Sequence, residues 1–111
     1  MKLPLDTIIS ERKLREYLLT RRNEDDKSRF LALAGYDPTF WRQLETDIRQ
    51  LIHDQDAELI RRTLYGDMYK ITGRLIGPNG RSLNVVTIWI TLSANGETRF
   101  VTLVPDKETQ Q

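Results

Sequence analysis

The sequence predicts an α+β domain in which two to three N-terminal helices pack on one face of a three- or four-stranded antiparallel meander sheet. Apolar residues recur at helical spacing in the first half of the chain, whereas apolar and polar residues alternate in the second half. Short turn-forming segments separate the alternating stretches, so consecutive strands should pair as neighbours. Helices that precede such a sheet bury their apolar side against it, which gives two layers.

The helical half begins with an extended lead-in at residues 1–9, and its first helix follows Ser10, a residue type that caps helix N-termini. The polar run at residues 21–27 is interpreted as a solvated loop. At the end of this loop, Asp26 is predicted to cap a short helix. Gly35 should end that helix, because glycine adopts the left-handed conformation at little cost.

A third helix is predicted to start at Asp37 and Pro38, since a capping residue followed by proline is typical of a first helical turn. It should run to about residues 53–55. Its apolar residues follow a 3.6-residue period: Phe40, Trp41, Leu44, Ile48, Leu51 and Ile52.

The strand half contains one ambiguous stretch, residues 58–64, which favours neither a strand nor a continuation of the third helix. Three other stretches alternate clearly: 67–76, 83–92 and 98–104. The turn sequences between them are Gly77-Pro78-Asn79-Gly80 and Asn95-Gly96. Pro105 should end the last strand, and the polar tail at residues 106–111 is expected to be frayed.

The composition restricts the classes of protein that fit. A chain of 111 residues and 13.0 kDa forms one domain, and its formal net charge of +1 provides no global basic field. The absence of cysteine excludes disulfides, thiolate metal sites and a cysteine nucleophile. His53 is the only histidine, which excludes a two-histidine acid–base pair. We therefore expect a cytoplasmic domain without a metal, a cofactor or a membrane span.

The strand half carries a local excess of positive charge. Residues 59–104 contain six basic residues (Arg61, Arg62, Lys70, Arg74, Arg81 and Arg99) and two acidic ones (Asp67 and Glu97). If the helices cover Val86, Ile88, Ile90 and Leu92, the opposite face is open. By alternation, that face carries Lys70, Thr72, Arg74, Thr87, Trp89, Thr91, Phe100 and Thr102. Cations, hydroxyls and aromatic rings on one sheet fit an RNA-binding surface.

Simpler interpretations of the same residues remain open. Basic residues on an exposed sheet face often serve solubility alone. An aromatic residue such as Trp89 in a central strand is more often a core residue than a stacking platform. Tyr65 and Tyr69 are expected to be core tyrosines with bonded hydroxyls, and Arg81 is expected to be a solvated turn residue.

Several segments together resemble a bacterial, often cyanobacterial, family of domains of unknown function that also occur at the C-termini of polymorphic toxins. These segments cover about residues 5–105. They are Lys13-Leu14-x-x-Tyr17-Leu18-Leu19, Lys27-x-x-Phe30, Gly35-Tyr36, Tyr65-Gly66, Tyr69, Gly73-x-Leu75-x-Gly77-Pro78-Asn79-Gly80-Arg81, Thr87-x-Trp89, and Arg99-Phe100-Val101-Thr102 with Pro105. The layout looks like that of the barnase, EndoU, colicin and RelE group of ribonuclease toxins, so the resemblance implies a nuclease by analogy of fold.

RNA cleavage by the 2′-hydroxyl needs a base, an acid and cations, and lysine serves as the base only where its pKa is depressed. The predicted catalytic residues are Lys70, Arg74, Thr87 and Thr102. The predicted substrate-binding residues are Arg81, Arg99, Trp89 and Tyr69. Lys13 and Lys27 match the resembled family too, and we expect them to pair with acidic side chains.

Two other function classes stay open. One is a non-catalytic module that binds a small protein partner, such as an antitoxin or a regulator, through the sheet. The other is an oligomer formed through the edge strand at residues 98–104, although Glu97 and Arg99 blunt that edge. A ribonuclease requires the predicted basic residues to converge in a cleft, whereas a binding module requires a flat surface.

Overall fold

An antiparallel sheet forms one layer of the fold and the helices form the other. The computed structural model describes residues 1–20 and 27–107. The four strands lie in chain order: β1 (Glu58–Arg62), β2 (Gly66–Ile76), β3 (Ser82–Leu92) and β4 (Thr98–Pro105). All three neighbouring pairs are antiparallel. The predicted α+β meander is therefore confirmed, and the ambiguous stretch at residues 58–64 contains a strand.

The helical layer consists of a π-helical segment (Lys13–Leu18), helix α1 (Ser28–Ala32), a 3₁₀ turn (Pro38–Phe40) and helix α2 (Trp41–Asp54). Gly35 has a φ of 90°, so the predicted helix terminator is confirmed. Asp37 also acts as predicted, because its carboxylate accepts a 2.8 Å hydrogen bond from Thr39 N. No helix within the described residues is long and apolar enough to cross a membrane.

The loop predicted at residues 21–27 lies outside the described part except for Lys27, and so does the predicted Asp26 cap. Most of the tail predicted to be frayed, residues 108–111, also lies outside. Ser10 is a weak cap, since its hydroxyl is 3.4 Å from Lys13 N.

The hydrophobic core lies between α2 and the central strands. Helix α2 contributes four buried residues to it: Leu44, Ile48, Leu51 and Ile52. The helix crosses β2 at Gly73, where a Cβ atom would lie only 2.5 Å from Leu51 Cδ2. The absence of a side chain at this position allows α2 to approach the sheet closely.

The face of β3 that the helices cover differs from the expected one. Val85, Thr87 and Trp89 are fully buried, whereas Val86, Ile88 and Ile90 are only half-buried. The prediction that helices cover Val86, Ile88, Ile90 and Leu92 is therefore wrong. Burying the large indole ring outweighs burying further aliphatic side chains, because Trp removes more apolar surface from water.

The N-terminal lead-in adds to the free edge of β4. Ile8 N donates a 2.8 Å hydrogen bond to Thr98 O, and Phe100 N donates one of 2.9 Å to Ile8 O. This parallel bridge pairs the first part of the edge strand at residues 98–104, the candidate surface for oligomerisation. The beginning of that edge is consequently closed to a second chain.

Candidate functional site

The sheet face away from the helices, called the open face below, carries four of the predicted site residues. Strand register places Lys70 beside Ile88, and Ile88 beside Thr102, so these three form one row across the sheet. The other two open-face residues are Arg74, beside Asn84, and Arg99, beside Ile90.

The two predicted catalytic cations of β2 do not converge. Lys70 and Arg74 are four residues apart on one strand, which separates their Cα atoms by about 13 Å. Lys70 Nζ lies 3.6 Å from a carboxylate oxygen of Glu58 on β1. Arg99 is likewise engaged, because its guanidinium donates to Glu97 at 2.6 Å. The cations of the open face are thus dispersed and do not meet in one cleft.

The other predicted site residues lie elsewhere. Thr87 and Trp89 share the helix-covered face of β3, so the prediction that they share a face with Lys70 and Arg74 is wrong. Trp89 packs edge-to-face on Phe100 with ring centroids 5.2 Å apart, which confirms the simpler interpretation of a core tryptophan. Phe100 is itself buried.

The remaining substrate-binding candidates are also not part of one site. Tyr69 is half-buried and packs against the core. Arg81 is exposed beyond the β2–β3 turn, where its backbone N donates a 2.9 Å hydrogen bond to Asn79 Oδ1. Tyr65 is 78% exposed, so the expectation that it is a core tyrosine is wrong.

A cleft of about 390 Å³ opens where the helical layer meets the edge of β4. We call it the two-lysine cleft. Its lining residues come from the π-helical segment, the start of α1 and the middle of β4: Lys13, Tyr17, Leu18, Lys27, Phe100, Val101 and Thr102. Of the eight predicted site residues, Thr102 alone lines it.

The two ammonium groups of this cleft bind neutral oxygens. Lys13 Nζ donates to Val101 O at 3.1 Å, and Lys27 Nζ donates to Thr102 Oγ1 at 3.1 Å. Neither lysine forms an ion pair with an acid in the described part of the chain. The expectation that both pair with acids stays a prediction, because residues 21–26 lie outside that part. Burial lowers the pKa of Lys13 below its usual value.

A second cleft, of about 450 Å³, adjoins the first and shares Lys13, Phe100 and Val101 with it. It extends along β4 to Arg99 and then to Ile90 of β3. No acidic residue among those described lines either cleft. The two clefts together form a groove along β4 that is lined by Lys13, Lys27 and Arg99, of which Arg99 is paired with Glu97. Cationic side chains in a groove suit phosphate groups.

Sequence reasoning placed the site on the open face and missed this groove. A signal for it was present, because all seven lining residues of the two-lysine cleft belong to the segments that carry the family resemblance. These segments lie far apart in the chain and meet only after the helices dock on the sheet. Alternation within the strands contains no information about that docking.

The chain belongs to the family described as Domain of unknown function (DUF6883), whose sequence profile matches residues 5–107. No curated protein sequence matches the chain. Among solved structures, it is similar to a chain of a "Contact-dependent growth inhibition toxin - immunity protein complex from Klebsiella pneumoniae 342". The TM-score is 0.68 at 18% identity, over 90% of this chain and 100% of that chain. At this identity the likeness shows a shared fold.

Proposed function

We propose that this member of the DUF6883 family is a metal-independent ribonuclease that cleaves RNA in the two-lysine cleft. The observation that carries the proposal is the convergence of Lys13, Lys27 and Thr102, from three separate elements, in one cleft without an acidic lining residue among those described. Two lysines that form no ion pair within residues 1–20 and 27–107 attract a phosphodiester in a concave site and stabilise charge that develops on it.

The proposed reaction is an internal transesterification. The ribose 2′-oxygen attacks the adjacent phosphorus while the bond from phosphorus to the 5′-oxygen breaks, which gives a 2′,3′-cyclic phosphate and a 5′-hydroxyl. Neutral Lys13 accepts the proton of the 2′-hydroxyl. The lowered pKa of Lys13 supports this role, because a larger fraction of the side chain is neutral at a given pH.

Lys27 has the complementary role in this proposal. Its ammonium donates to Thr102 Oγ1, so it lies at the β4 side of the cleft, and Lys13 Nζ donates to the neighbouring residue Val101. From this position the Lys27 ammonium stabilises the negative charge of the pentacoordinate phosphorus and supplies the proton that the departing 5′-oxygen needs. The hydroxyl of Thr102 orients the phosphate oxygens.

The fold comparison supports a toxin-related role for the domain. The similar chain comes from a toxin–immunity protein complex, and the shared fold supports a place for this domain in such a pair. In the same proposal, the domain acts in the cytoplasm, where RNA is its substrate and a small protein is its partner.

The experiment compares two double variants that each remove two positive charges. Purified protein is incubated with total cellular RNA in EDTA as wild type, as Lys13→Ala/Lys27→Ala and as Lys70→Ala/Arg74→Ala. The melting temperature of each variant is measured alongside. Single Lys13→Arg and Lys27→Arg variants keep the charge, and in Lys13→Arg the base is lost.

Each outcome assigns the function differently. Defined fragments that disappear in Lys13→Ala/Lys27→Ala and persist in Lys70→Ala/Arg74→Ala place catalysis in the two-lysine cleft. The reverse result restores the original prediction for Lys70 and Arg74. Intact RNA with folded wild-type protein contradicts the ribonuclease proposal.

The alternative function, a module that binds a small protein partner without catalysis, is favoured by the centre of the open face. There Val86, Ile88 and Ile90 leave a half-buried aliphatic strip, and cationic side chains from the neighbouring strands surround it. Apolar centres with polar rims are typical of protein interfaces. A stable complex with a partner that leaves RNA intact would support this function.

A further inference from the structure

The turn between β1 and β2 combines a rigid backbone with exposed side chains. Thr63 Oγ1 donates to Gly66 O at 2.8 Å and accepts from Tyr65 N and Gly66 N at 3.1 Å each. Directly after β3, Ser93 N donates to Tyr65 O and Ser93 Oγ donates to Leu64 O, both at 2.9 Å. The backbone of the turn is thus hydrogen-bonded on both sides.

The two side chains at the tip of this turn are directed into solvent. Leu64 is 95% exposed and Tyr65 is 78% exposed, the highest values among the large hydrophobic residues described. The turn cannot sink into the sheet to hide them, because it already lies close to β3: a Cβ atom at Gly66 would be 2.2 Å from Thr91 O. Two adjacent, exposed apolar side chains on a turn with a hydrogen-bonded backbone form a surface that a partner can contact.

The charge around this turn favours an anionic partner. Arg61 and Arg62 directly precede the turn and are exposed, and neither forms an ion pair within the described residues. Asp67, the residue opposite Arg62, is the nearest acid along the strands. An exposed aromatic ring beside arginines is the combination that binds single-stranded nucleic acid, the ring by stacking and the arginines by phosphate contacts.

The turn is also linked to the groove along β4. Strand register places Arg61, Met68, Ile90 and Arg99 in one row across the open face. Three strand spacings separate the ends of this row, which is about 14 Å. Ile90 and Arg99 line the cleft that adjoins the two-lysine cleft. A strand of RNA that follows this row from the cleft reaches Arg61, which lies four residues before Tyr65 in the chain.

We propose that the turn at residues 63–66 is a stacking platform, on which Tyr65 binds an unpaired base while Arg61 binds a neighbouring phosphate. The proposal rests on the proposed ribonuclease function in one respect: the platform then selects which nucleotide reaches the two-lysine cleft. A base stacked at a fixed distance from the cleft determines the position of cleavage.

Binding is measured separately from cleavage, by fluorescence anisotropy with a fluorescein-labelled, single-stranded 2′-O-methyl oligonucleotide. This probe has no free 2′-hydroxyl and cannot be cleaved by transesterification. We expect Tyr65→Ala to weaken its binding at least about fivefold and Tyr65→Phe to stay within about twofold of wild type. Arg61→Ala should reduce the slope of log Kd against log salt by about one. The matched control is Leu64→Ala, on the same turn.

Several results would overturn the platform. They are an absence of wild-type binding, unchanged binding by Tyr65→Ala, and equal losses in Tyr65→Ala and Leu64→Ala, which indicate a general apolar contact. The turn would be assigned to a lipid surface instead if wild type sediments with anionic phospholipid vesicles and the Tyr65→Ala variant does not.

The platform and the ribonuclease proposal fail in distinguishable ways. If wild type binds the oligonucleotide through Tyr65 and leaves RNA intact, the platform stands and the ribonuclease does not. If wild type cleaves RNA and Tyr65→Ala changes neither binding nor fragment pattern, the ribonuclease stands and the platform does not.

Discussion

The indole Nε1 of Trp89 donates a 2.8 Å hydrogen bond to the hydroxyl of Thr87, two positions earlier on the same face of β3. The hydroxyl proton of Thr87 is directed to Ile71 O on the neighbouring strand, at 2.9 Å. One buried threonine thus serves both as acceptor and as donor. The pair lets the helices cover a strand face that contains two polar groups without leaving either unbonded.

The first prediction concerns this hydroxyl. Thr87→Val keeps the shape of the side chain but leaves the Trp89 N–H and Ile71 O without their partner. We expect the free energy of unfolding to fall by about 1–3 kcal/mol, the cost of burying unsatisfied polar groups. Urea denaturation measures it. The matched control is Thr72→Val on the exposed side of β2, which should stay within about 0.5 kcal/mol of wild type.

The second prediction concerns the indole ring itself. Trp89 is fully buried and contacts Phe100 edge-to-face, so Trp89→Ala removes the largest buried side chain of the described core. We expect a loss of about 3–5 kcal/mol in the free energy of unfolding, from lost burial and from the cavity that remains. Denaturant unfolding followed by circular dichroism measures it. A stable Trp89→Ala protein would contradict the core position of this residue.

The order and types of the elements could be predicted from the sequence, but the covered face of β3 could not be read from hydropathy. Val86, Ile88 and Ile90 are more apolar than Thr87, so the alternation pointed to the wrong face. Burial of the indole ring favours the other face, and the hydrogen bond from Trp89 to Thr87 gives the buried N–H its partner. Residues two apart on a strand share a face, so this pairing was accessible from spacing and chemistry.

The two-lysine cleft was beyond such reasoning. Lys13 and Lys27 lie in the helical half, and both reach the edge of β4. Their meeting depends on how the π-helical segment and the start of α1 dock against β4, next to the bridge between Ile8 and Arg99. Periodicity gives the direction of a side chain within its own element, and it contains no information about the distance between elements.

The third prediction tests the contact between the β2–β3 turn and the end of α1. A Cβ atom at Gly77 would lie 2.0 Å from Ala34 O and 2.5 Å from Ala34 Cβ. Gly77→Ala should therefore lower the free energy of unfolding by about 1–3 kcal/mol, because the turn has to move away from the helix. Gly80→Ala, on the same turn, meets no atom within 4 Å, but its φ of 86° strains an alanine, so it measures backbone strain without a clash. A Gly77→Ala protein as stable as wild type would contradict the close contact with Ala34.

The fourth prediction is that the stability of the fold decreases at alkaline pH. Tyr36 is 1% exposed, and its hydroxyl donates to a carboxylate oxygen of Asp47. Burial raises the pKa of Tyr36, and the hydrogen bond and the negative charge of Asp47 raise it further. Tyr36 therefore ionises at a higher pH in the folded state than in the unfolded state. The resulting stabilisation is complete below the unfolded pKa of about 10 and is lost as the pH rises beyond it.

Tyr36→Phe isolates this effect, because every other titrating group is kept. Thermal melts of wild type and variant between pH 8 and about 11 should show a steeper alkaline decline in wild type. Asp47 keeps its 2.9 Å hydrogen bond from Gln43 Nε2 in the variant, so the helix face around it is preserved. Parallel declines would show that Tyr36 does not ionise on unfolding.

The fifth prediction concerns the pH dependence of RNA cleavage, if the ribonuclease proposal is correct. The base has to be neutral, so the rate rises with pH up to the pKa of Lys13. Because burial lowers that pKa, the rising limb ends below the usual value of 10.5 for a lysine. Lys13→Arg keeps the cation and should remove the rising limb, since arginine does not deprotonate in this range. A rising limb that persists in Lys13→Arg would assign the base to another group, and Lys27→Arg then tests the second lysine of the cleft.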